Sequence, residues 1–134
     1  MTREDFLERI NRDDSFGYLA TLDVDQPRVR PIALRFHMGK LHFCTYTNSD
    51  KVSQILANPR VEAAWTFEDM VHIRVAGKAR IVEDPAVKTS FLESFPLFKR
   101  YFPSPNVPDY MLVEMNGCNV KVSTDETEDQ SFIL

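Results

Sequence analysis

Apolar positions along the chain change their period several times, and each change marks an element. Phe6, Leu7 and Ile10 share one helical face behind Thr2 and Asp5, which predicts a capped helix ending near Asn11. Residues 16–22 (FGYLATL) read as a strand, and residues 23–27 supply turn chemistry. Residues 28–37 (RVRPIALRFH) follow as a second strand. Alternation places Val29, Pro31, Ala33 and Arg35 on one face and Arg30, Ile32, Leu34 and Phe36 on the other. Met38-Gly39 predicts a tight turn into a partner strand, 41–46 (LHFCTY). Pro31 has no amide hydrogen for a ladder, so it is expected where that strand is unpaired or bulged.

The period then shifts from two to about 3.6. Val52, Ile55 and Leu56 form a helical stripe that starts at Asn48-Ser49-Asp50 and stops at Asn58-Pro59. Residues 60–67 and 71–82 predict an antiparallel pair, with Gly77 as a bend. Asp84 before Pro85 predicts a helix running to about Phe95, and the prolines of 103–108 exclude regular structure there. Residues 110–122 read as a final hairpin turning at Asn116-Gly117. From 124 to the end, four acids and no base suggest a solvated tail. Short antiparallel strands with brief helices between them predict a mainly β fold, a small barrel, in one domain spanning residues 1–134.

Composition narrows the field. With 43% apolar and 27% charged residues, 134 residues can bury a core without staples. No run approaches the roughly 18 apolar residues of a membrane span. The opening MTREDFLERI is too polar for a secretory signal, so the expected location is the cytoplasm. Cys44 and Cys118 lack metal-ligand spacing and are expected as thiols, and His37 and His42 lack the spacing of a shared metal site. The four glycines are scattered, which excludes a dinucleotide or P-loop fingerprint. No Ser-His-Asp arrangement is legible, and no residue is assigned as a catalytic acid or base.

Charge adds one positive signal. The net charge of −4 argues against nucleic acid as a partner, yet residues 26–60 hold six basic residues against one acid, Asp50. Within that segment a cationic strand precedes a helix that begins Asn48-Ser49-Asp50, and a helix amino end with free amides is a cradle for phosphate. Thr45 and Ser49 add hydroxyls and Lys51 a mobile charge. Capping residues beside a surface lysine would give the same string, and the residues alone leave both readings open.

The order Arg30 to Arg35, Phe43-x-Thr45, Ser49-x-Lys51, residues 58–61 (NPRV) and Val75-x-Gly77-Lys78-Ala79 resembles the pyridoxamine 5′-phosphate oxidase-like family over residues 16–82. That resemblance implies a six-stranded antiparallel split barrel, a homodimer, and FMN at the interface touched by both chains. Arg30 would meet the phosphate or ribityl chain, with Arg35 in place of the family lysine facing the same cofactor. Pro31, Ile32 and Ala33 would line it, Ile32 and Ala33 through backbone groups and a flat apolar wall. Thr45 would bond the ring edge, Ser49 and Lys51 the phosphate, and His72 stands where the family has a glutamine near the flavin. Two departures stand out. Asp50 replaces an arginine and cannot donate to phosphate. The C-terminal VSTDETEDQSFIL also lacks the Arg and His that grip a phosphorylated substrate, so oxidation of vitamin B6 is not expected.

The resemblance therefore implies an FMN-dependent oxidoreductase with NAD(P)H or another donor and an unidentified small acceptor. Alternatives are a flavin carrier or redox sensor without catalysis, and a haem or deazaflavin binder on the same fold.

Overall fold

Each helix carries the start its sequence specifies. In the computed structural model, which describes residues 1–124 and 130–134, Thr2 and Asp5 form a reciprocal capping box for α1 (Arg3–Ile10). Asp84 accepts from the Ala86 amide ahead of α3 (Pro85–Ser94), whose first residue is the proline. The second helix, α2 (Asp50–Ala57), starts after Ser49 and stops before Pro59.

The strands are β1 (Gly17–Asp23), β2 (Gln26–Ile32), β3 (Arg35–His37), β4 (Lys40–Tyr46), β5 (Arg60–Thr66), β6 (His72–Val82), β7 (Tyr110–Ser123) and β8 (Gln130–Ile133). All pair antiparallel in the order β2-β1-β5-β6-β7-β4-β3, with β8 beside β7. Met38 (φ 50°) and Gly39 (φ 79°) make the β3–β4 turn left-handed at both positions, as a tight hairpin requires.

Three strand expectations are corrected. The stretch 28–37 is not one strand: pairing lapses at Ala33 and Leu34, so Leu34 and Arg35 are both buried instead of alternating. Pro31 is neither bulged nor skipped. It lies in register opposite Tyr18 on a strand that ends the sheet order, where one side carries no ladder. Finally, Asn116-Gly117 is no hairpin turn. A single strand, β7, runs through it, and two of its residues oppose Gly77 between the pairs Ala76–Asn119 and Lys78–Asn116. Gly117 sits at φ 62°, so the Asn-Gly signal serves a bulge. With β3 separate and β8 added, the described residues hold eight strands where six were expected.

Of the stretch read as an acidic tail, residues 125–129 lie outside the described residues, while β8 carries Phe132 against Phe6. Two cores result. Leu19, Phe43, Ile73, Val75 and Val113 fill the inner one, closed at one end by Phe6 and Trp65. Phe91, Phe98, Phe102, Tyr110 and Leu112 form an outer one, where α3 and a 3-10 helix (Pro96–Arg100) cover β6 and β7.

Candidate functional site

Four of the nine residues singled out above meet where β2, β4 and α2 converge. Leu19 pairs with Arg30, so the arginine starts from the inner face of the sheet and extends toward the end that α2 closes. Its Nη1 donates to Thr21 Oγ1 at 2.7 Å and its Nη2 to Gln54 Oε1 at 2.8 Å. Thr45 is buried near the end of β4, and its Oγ1 accepts from Lys51 Nζ at 2.8 Å. Ser49 stands at the N-cap position of α2 without bonding the helix amides, and its Oγ lies 3.3 Å from Thr45 Oγ1.

The electrostatics of this junction are cationic. Arg30 and Lys51 are half-buried and, among the described residues, neither forms an ion pair. Burial pushes the Lys51 ammonium below its ordinary range, and the Arg30 charge pushes it further. Burial likewise lowers Arg30, with Asp50 acting weakly against it. Two cations that repel each other beside a helix amino end are what a bound phosphate would stabilise. Asp50 itself is exposed in the first turn of α2, where a carboxylate complements the helix dipole.

The other five residues are placed differently. Ile32 is buried in the inner core, Pro31 is exposed, and Ala33 packs against the outer core. Arg35 does not join the cluster. It is 1% exposed and donates to the carbonyls of Ile10 (3.1 Å), Asp13 (3.2 Å), Ser15 (2.9 Å) and Leu34 (2.8 Å). The break after Ile32 turns this side chain inward under α1, which is why alternation misplaced it. His72 opens β6 and bonds Thr66 Oγ1 at 3.1 Å, with no contact to the cluster.

Thr21 and Gln54 were missed by the sequence reading. A signal for each existed: Thr21 is a polar residue at an inward position two after Leu19, and Gln54 follows Lys51 by three on one helix face. A second polar centre was missed as well. Glu114, buried within β7, is bridged by Arg80 Nη2 at 2.6 Å, with Lys40 Nζ at 3.5 Å and His42 Nε2 at 3.9 Å. Burial raises its pKa, but Lys40, Arg80 and Asn116 together hold it below the usual carboxylate range. Glu114 and Arg80 border a groove of about 920 Å³ lined also by Ile55, Leu56, Val82 and Met111. That groove contains none of the nine residues, and its arginine is already committed to a carboxylate. Arg30 and Lys51, by contrast, are engaged by no carboxylate among the described residues.

The antiparallel sheet with its short covering helices defines a split-barrel fold, and comparison with known proteins agrees. Residues 3–132 match the family model described as pyridoxamine 5′-phosphate oxidase, and the chain belongs to that family. It is similar to a NimC/NimA family protein of Clostridium acetobutylicum, at 26% identity and a TM-score of 0.86 over 98% of this chain and 89% of that one. A pyridoxamine 5′-phosphate oxidase-related, FMN-binding protein of Nostoc punctiforme shares the fold at 19% identity and a TM-score of 0.68, covering 98% and 96%. So does a heme-binding protein of Mycobacterium smegmatis, at 18% identity and 0.70, covering 88% of this chain and 52% of that chain. No curated protein matches. Among the described residues, no helix is long and apolar enough to cross a membrane.

Proposed function

We propose that the chain binds FMN and serves as a flavin-dependent oxidoreductase, taking electrons from NAD(P)H or another donor and passing them to a small acceptor. The observation that carries this reading is the pair of half-buried cations, Arg30 and Lys51, without an acidic partner among the described residues. Bound flavin would supply the electron or hydride transfer. The residues here anchor and orient. Arg30, Lys51 and Ser49 would hold the phosphate, Thr45 the ring edge, and the backbone of 31–33 a wall beside it. With Lys51 Nζ and Ser49 Oγ both within hydrogen-bond distance of Thr45 Oγ1, two donors for a phosphate stand together in one hydrogen-bonded group.

A homodimer fits the outer face of the sheet. Tyr18 and Val29 are exposed there beside Ala20 and Pro31, a flat apolar strip at the edge of a sheet that a second copy would cover. Two free cysteine thiols, Cys118 buried and Cys44 partly buried, suit the reducing cytoplasm.

The test is to purify the protein, release any ligand by heat, identify it by mass, and titrate the stripped chain with FMN. Lys51→Ala and Arg30→Ala are each expected to weaken FMN by about 1.5–3 kcal/mol. Unchanged affinity in both would remove the reading. Bound flavin without sustained NAD(P)H oxidation would make the protein a carrier, and a Soret band would make it a haem binder.

A further inference from the structure

Three side chains at the cluster close a ring of hydrogen bonds. Arg30 Nη1 donates to Thr21 Oγ1 at 2.7 Å, Thr21 Oγ1 donates to Gln54 Oε1 at 2.5 Å, and Arg30 Nη2 donates to the same Oε1 at 2.8 Å. Each group can act only one way. The guanidinium has no acceptor, so the threonine hydroxyl must receive from it and pass its own proton to the glutamine oxygen. Thr21 is 2% exposed and belongs to β1, and Gln54 belongs to α2, so the ring ties the arginine to two separate elements. A long side chain that otherwise samples many rotamers is thereby fixed beside Lys51 before any ligand arrives.

The ring also fixes the glutamine. Its oxygen faces two donors, so its amide nitrogen points away, and that nitrogen has no partner among the described residues. Because the oxygen of the same amide takes the Arg30 Nη2 proton at 2.8 Å, this free N–H₂ stands beside the Arg30 guanidinium, three residues after Lys51 on α2.

We propose that Thr21 and Gln54 are positioning residues that aim Arg30 at the flavin phosphate, and that Gln54 Nε2 supplies a further donor to that phosphate. The inference rests on the FMN reading above and deepens it.

FMN and riboflavin differ only in the phosphate, so their affinities for the stripped full-length chain, read by quenching of flavin fluorescence, separate the outcomes. Wild type is expected to prefer FMN strongly. Gln54→Leu and Thr21→Val should each lose about tenfold in FMN affinity while riboflavin affinity stays within about twofold. Gln54→Glu keeps the oxygen in the ring but turns the outward nitrogen into an anionic oxygen, and should lose at least as much as Gln54→Leu. Thermal melts verify that the variants fold, and Thr21→Val, nearly isosteric, serves where a Gln54 variant does not. If wild type prefers FMN and both Gln54→Leu and Thr21→Val keep the full preference, the positioning role is overturned and the FMN reading stands. If Gln54→Glu binds FMN like wild type, the donor role of Nε2 falls. If wild type does not distinguish the two flavins, the phosphate reading falls, and this inference with it.

Discussion

Replacing Arg35 by methionine tests whether this arginine serves the fold and not the cofactor. The side chain is 1% exposed, forms no ion pair among the described residues, and gives its donors to four backbone carbonyls from Ile10, Asp13, Ser15 and Leu34. The face of Phe98 lies 5.4 Å from its guanidinium carbon. Burial lowers its pKa, with Asp13, Cys44 and Asp14 acting against that. Methionine fills much of the volume but leaves the end of α1, the loop after it and the break after β2 without their shared donor. Hydrogen bonds from a charged group are worth about 1.5–3 kcal/mol each, and release from burying a cation returns several kcal/mol. The net loss is about 3–5 kcal/mol, a large share of the 5–15 kcal/mol typical of a domain. Thermal and urea unfolding followed by circular dichroism would read this as a fall in Tm of about 10–20 °C. Arg35→Lys, with three donors and no planar fork, should fall between and, once folded, bind FMN as wild type does. A methionine variant within about 1 kcal/mol of wild type refutes the structural role. So does a lysine variant that keeps its Tm and loses flavin.

Three further outcomes are expected. Burial holds His37 and His42 below the ordinary imidazole value of 6.5. The unfolded chain takes up their protons first on acidification, so their contribution to stability is level above pH 6.5 and declines below it. Urea midpoints at about pH 7.5 and 5.5 should differ accordingly, and the difference should shrink in His42→Gln. On the proposed function, phosphate would be held by the charged form of Lys51, whose pKa burial and Arg30 depress. FMN affinity should therefore decline on the alkaline side from below the usual lysine value of 10.5, and Lys51→Arg should hold its affinity there. A methyl group at Gly17 would stand 2.4 Å from the Ala64 carbonyl oxygen and 2.8 Å from Trp65 Nε1. Gly17→Ala should cost about 1–3 kcal/mol by forcing β1 and β5 apart, and a neutral melt would count against the β1–β5 register.

By itself the sequence determined the local elements. Capping residues, the Met38-Gly39 turn, the 3.6-residue stripe of α2 and the proline stops act over a few residues, so their free energies are set by neighbours along the chain. Most of the candidate cluster was legible for the same reason: Thr45, Ser49 and Lys51 lie within seven consecutive residues, and Arg30 is on β2, which hairpins with β1. What tertiary structure decided was every feature that depends on a partner far away in the chain. Asn116-Gly117 became a bulge because β7 must pair with β4, β6 and β8 at once. Arg35 turned inward because the carbonyls that satisfy it come from residues some twenty positions earlier. Thr21 and Gln54 gained a role only when β1 and α2 were brought together around one guanidinium, since a buried polar group takes its partners from whatever the fold places within reach.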